Sequence, residues 1–68
     1  MTWFEGDDVA DFPDSTCTAE TEMALLVKLE GGSETWFPKS QISSYSDVLE
    51  EGNHGTLVLA RWLAVDRG

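Results

Sequence analysis

The chain has 68 residues, 41% of them hydrophobic, and a formal net charge of −9. That length supports a single small domain with one core, and the apolar content argues against wholesale disorder. The charge repels nucleic acid and anionic membranes, and no apolar run approaches the roughly 20 residues of a membrane span.

The acidity is concentrated at the start. Residues 1–22 carry Glu5, Asp7, Asp8, Asp11, Asp14, Glu20 and Glu22 and no base. An acidic start has the wrong sign for an export signal, and Cys17, the single cysteine, allows no intramolecular disulfide. Both point to the cytoplasm. The reading in chain order is of an acidic N-terminal segment, residues 1–22, followed by a β-rich core, residues 23–68.

In WFEGDDVADF, Val9 and Phe12 are three apart, which suits one helical turn between Gly6 and Pro13; a short strand through Trp3 and Phe4 is the alternative. The stretch PDSTCTAETE, residues 13–22, contains no large hydrophobe and reads as a loop or mobile linker. In MALLVKLE the side chains of Met23, Leu25, Val27 and Leu29 share one face at period two, and Leu26 on the other face calls for partial cover. The Gly31-Gly32-Ser33 turn and the run ETWFPKSQI then predict a β-hairpin. Pro38 lacks a backbone donor, so its strand lies at an edge or bends away there. Regular strand geometry sends Trp36 and Phe37 to opposite faces.

The polar stretch SSYSDVLEEGNHG offers two readings, a helical turn capped by Ser46 or Asp47 and ended at Gly52, or a short strand over Asp47 to Leu49. TLVLA reads as a strand. ARWLAVDR reads as a closing helix with Trp62 and Val65 on one side and Arg67 placed to complement the helix dipole. The fold class expected is mainly β with short helical ends, a small bent antiparallel sheet or half-open barrel.

The tripeptide Thr-Trp-Phe occurs twice, at residues 2–4 and 35–37, without any alignable surroundings. The second copy opens the stretch Trp36-Phe37-Pro38-Lys39-Ser40-Gln41-Ile42, which resembles a Trp-apolar-Pro-Lys-Ser-Gln-Ile motif of short phage and bacterial proteins of unknown function. Gly55-Thr56-Leu57-Val58 and Arg61-Trp62-Leu63-Ala64 are also similar to that group. The resemblance covers residues 23–68. It implies a compact β-rich fold and a phage or mobile-element origin, and brings no activity with it.

No motif of nucleophilic, metal or phosphate chemistry is present, and a non-enzymatic protein without a cofactor is expected. Cys17 and His54 read as incidental loop residues rather than a thiol–imidazole dyad. Asp7, Asp8, Asp11 and Asp14 lack the alternate spacing of a calcium loop, so no metal is implied. Trp36, Phe37 and Lys39 match a base-stacking platform in composition, but four basic residues in the whole chain provide no positive groove.

What remains is a binding protein. Spaced carboxylates stand in for phosphates and compete for the Lys and Arg of a nucleic-acid-binding surface. Small acidic phage proteins that disarm host nucleases or CRISPR complexes, the anti-CRISPR inhibitors among them, are of this kind. The partner expected is a basic protein surface, with no direct nucleic acid and no membrane. The residues assigned to it are Glu5, Asp7, Asp8, Asp11 and Asp14, with Glu50 and Glu51 extending the face. The alternative is a small β-barrel adaptor that binds a peptide or subunit in an aromatic groove at Trp36 and Trp62.

Overall fold

The computed structural model describes residues 3–67. Thr2 of the first Thr-Trp-Phe copy and the side chain of Arg67 lie outside the described residues.

Among the described residues four strands form one antiparallel sheet: β1 (Val9–Glu20), β2 (Ala24–Lys28), β3 (Glu34–Pro38) and β4 (His54–Ala60), in the order β3-β2-β1-β4. A 3-10 turn, Lys39–Gln41, follows β3, and a helix, α1 (Arg61–Arg67), follows β4. The expected mainly β architecture is present, with its helical end at the C-terminus.

The hairpin forms as the pattern predicts. β2 and β3 pair from Lys28–Glu34 to Ala24–Pro38, with Gly32 at φ 93° in the turn, where a residue without Cβ is unstrained. Leu25, Val27 and Phe37 fall on the inner face and are fully buried. Trp36 points outward opposite Leu26, which supplies the partial cover that Leu26 called for. Met23 departs from the expected face: it precedes β2 and is 63% exposed.

The largest correction concerns residues 9–22. Neither a helical turn at Val9–Phe12 nor a loop at 13–22 is formed; β1 runs through both and lies between β2 and β4. Two bulges reconcile this with its sequence, one between Phe12 and Ser15, the other between Cys17 and Ala19. At the first, Asp14 adopts φ 55° and the Ser15 hydroxyl donates to the Phe12 carbonyl at 2.8 Å. The extra residues reset the alternation. Ala10 and Phe12 pack against the core before the bulge, and Ser15 and Cys17 are buried after it. The acidic first third is thus continuous with the β-rich remainder.

Beyond Pro38 the chain crosses to the opposite side of the sheet. Ser43 N donates to Val58 O at 2.8 Å and Asp47 N to Thr56 O at 2.9 Å, which covers the outer edge of β4. Phe4 N adds a bond to Ile42 O at 2.8 Å. The segment over residues 46–53 is neither helix nor regular strand. Ser46 Oγ accepts from Val48 N and Val58 N, and Asn53 Oδ1 accepts from Leu49 N and Glu50 N, so side chains replace the ladder. Ile42, Val48, Leu57, Leu59 and Leu63 complete the core. On α1 the buried side is Leu63 and Ala64, leaving Trp62 and Val65 outward. No helix among the described residues is long and apolar enough to cross a membrane.

Candidate functional site

The acidic N-terminal stretch is pinned at both ends. Phe4 N is tied to Ile42 O, and Arg61 N donates to Asp8 O at 3.0 Å. Between them the Phe4 ring lies over Gly6, where a Cβ would come within 2.4 Å of the ring. Only glycine fits under that aromatic without displacing it. Glu5, Asp7, Asp8, Asp11 and Asp14 are all exposed. Glu5 accepts from Ser44 Oγ at 3.2 Å, Asp11 sits on β1 in register with Val58, and Asp14 occupies the bulge. Asp11 and Asp14 are thus fixed by the sheet, and Glu5, Asp7 and Asp8 lie on the segment tied at Phe4 and Asp8.

Asp8 differs from the others. Its Oδ1 accepts from Arg61 Nε at 2.7 Å in an exposed ion pair, which offsets part of its charge. Glu50 and Glu51 lie elsewhere. Gly52 N donates to Cys17 O and Glu51 N to Glu20 Oε1, which places their turn beside the later half of β1. They flank Glu20 rather than extend the row from Glu5 to Asp14.

Glu20 is the residue that sequence reasoning missed. Its carboxylate accepts from Lys39 Nζ at 2.6 Å and from Glu51 N at 3.0 Å, tying the 3-10 turn to the 50–53 turn. These two hydrogen bonds, Lys39 first, hold its pKa below the usual carboxylate value. Residues 19 and 31 positions apart meet here only through topology, so no local spacing announces the cluster.

Cys17 is buried on the inner face of β1 rather than in a loop, and burial pushes its thiol pKa up. His54 opens β4 rather than lying in a turn. Its Nδ1 is 2.6 Å from Thr16 Oγ1 on the exposed face. The two side chains therefore lie on opposite faces of the sheet. Among the described residues no group of three or more His, Cys, Asp or Glu is arranged to hold a metal ion.

Of the aromatic pair at the second Thr-Trp-Phe, Phe37 is core at 1% exposure and Trp36 is 43% exposed on the outer face of β3. Trp62 is 59% exposed, with its indole N–H donating to Gln41 Oε1 at 3.1 Å. No pocket is found among the described residues, so Trp36 and Trp62 line no enclosed groove.

No protein-family model matches the chain, and neither a curated protein nor a solved structure matches it.

Proposed function

We propose that this chain is a non-enzymatic acidic binding protein that occupies a basic, nucleic-acid-binding surface of another protein. The observation that carries the reading is the exposed row Glu5, Asp7, Asp8, Asp11 and Asp14, held on a strand and a doubly pinned loop. Carboxylates held on a tied-down backbone meet Lys and Arg without first losing the entropy of an ordering tail, and the net charge of −9 steers association. A host nuclease or a CRISPR complex is the class of partner such a phosphate surrogate suits, in keeping with a phage or mobile-element origin. Glu50 and Glu51, on the turn whose Glu51 N–H meets the Glu20 carboxylate, are not needed for this reading.

The test is capture from a bacterial lysate, with and without added nuclease. The account expects proteins retained in the nuclease-treated sample and released by duplex DNA or by moderate salt. Retention that needs intact nucleic acid, or that persists at high salt, contradicts it.

The adaptor reading has one observation in its favour, the outward rings of Trp36 and Trp62. Apolar docking through them would change little with salt, which separates the two readings.

A further inference from the structure

The two edges of the sheet are treated differently. The outer edge of β4 is covered by the backbone of Ser43 and Asp47. β3 is the terminal strand on the other side, paired with β2 alone.

The hydrogen-bond phase of the hairpin shows which groups β3 leaves over. Leu29 N donates to Ser33 O at 2.8 Å, and Lys39 N donates to Met23 O at 2.9 Å. In an antiparallel pair, bonded and non-bonded residue pairs alternate. The bonded pairs are therefore Val27–Thr35 and Leu25–Phe37. Glu34 and Trp36 belong to non-bonded pairs, and their N–H and C=O groups point away from β2, whereas the Pro38 carbonyl caps the 3-10 turn Lys39–Gln41. No described residue bonds to the outward groups of Glu34 and Trp36. A row of unmet backbone donors and acceptors is a template for another strand.

The side chains on this edge indicate what kind of strand. Trp36 and Glu34 are two residues apart and share the outer face. Leu26 faces Trp36 in a non-bonded pair, where opposing side chains come closest, so the indole is supported from below. The Glu34 carboxylate is drawn back across β2, accepting from Thr18 Oγ1 of β1 at 2.8 Å and sitting opposite Lys28, so it does not front the edge. An incoming strand with cationic side chains at alternate positions would stack one on the Trp36 ring, and the net charge of −9 favours such a strand over a neutral or acidic one.

We propose that the free edge of β3 is a strand-docking site for an extended segment of a partner protein with Lys or Arg at alternate positions. A second copy of this chain is a poor occupant. Antiparallel self-pairing about Trp36 would set Pro38, which has no N–H, opposite Glu34 and lose a rung. It would also bring two chains of charge −9 together. The site is separate from the row between Glu5 and Asp14, and stands or falls independently of it.

The probe is a peptide of about ten residues with alternating arginine and threonine, compared with a twin N-methylated at every central residue. The twin keeps the side chains and charge but lacks donors for a ladder. The site predicts binding of the plain peptide with amide shifts centred on Glu34 and Trp36. It predicts a loss of about tenfold or more for the twin. Trp36→Ala, an outer-face change, should weaken the plain peptide by a similar factor. The quadruple variant with Asp7, Asp8, Asp11 and Asp14 changed to Asn should still show the shifts at β3. Equal binding of the two peptides, shifts confined to the acidic row, or no binding of the plain peptide would overturn the proposal. Concentration-dependent shifts at β3 without peptide would also overturn it, by assigning the edge to a second copy. Because the two peptides are compared on the unmodified protein, the result does not depend on any variant folding.

Discussion

Strands β1 and β2 lie side by side in the middle of the sheet, yet they fill the core with different residues. β2 buries Leu25 and Val27, large side chains in strict alternation. β1 buries Ser15 and Cys17, small side chains set in phase by a bulge. The large side chains of the core come from the other strands, Leu25 on β2, Phe37 on β3 and Leu57 on β4. The comparison teaches that a place between two other strands buries a segment whether or not its own residues are hydrophobic.

The comparison can be broken from either side. Phe37→Ala removes a ring from the β2–β3 wing and should cost about 3–5 kcal/mol. That is a large part of the stability of a domain this size, so chemical denaturation should find the variant largely unfolded. Cys17→Leu tests the β1 side. If the small side chain is required, overpacking should cost about 1–3 kcal/mol; a neutral result would return residues 13–22 to a loop. Trp36→Ala, one residue from Phe37, should cost only about 1 kcal/mol, because its ring is covered on one side alone. Similar losses for Trp36→Ala and Phe37→Ala would contradict the register.

The smallest effect concerns the Glu20 tie between the two turns. Its folded pKa lies below the unfolded value of about 4.3. The interaction therefore contributes in full above that value and is lost as pH falls through the folded value. Thermal unfolding of the unmodified protein and of Glu20→Gln should differ at neutral pH and converge in acid. A constant difference across the range would show that Glu20 acts without its charge.

The hairpin was legible because Leu25, Val27 and Phe37 write period two around a glycine turn, and Pro38 marks the edge. TLVLA and the closing helix were legible for similar reasons, except that the helix turns Leu63 and Ala64 inward and leaves Trp62 and Val65 outside. β1 was not legible. Ser15 and Cys17 carry no hydrophobic signal, Pro13 and Asp14 look like turn residues because they form a bulge, and the order β3-β2-β1-β4 that buries the strand is a long-range property. The acidic row could be read as composition, but not its fixation by Phe4, Gly6 and Arg61. The meeting of Glu51 N with the Glu20 carboxylate depends on the same topology.

The claim that the carboxylates act as phosphate surrogates is tested most directly by affinity for the captured partner after changing Asp7, Asp8, Asp11 and Asp14 together to Asn. Shape is kept and four charges are removed, including the exposed pair of Asp8 with Arg61, whose loss should leave unfolding nearly unchanged. With each interfacial charge pair contributing on the order of 1 kcal/mol, affinity should fall by about a hundredfold or more, mostly through the association rate, and the difference should shrink as salt rises. Unchanged affinity in a variant that unfolds normally would contradict the account.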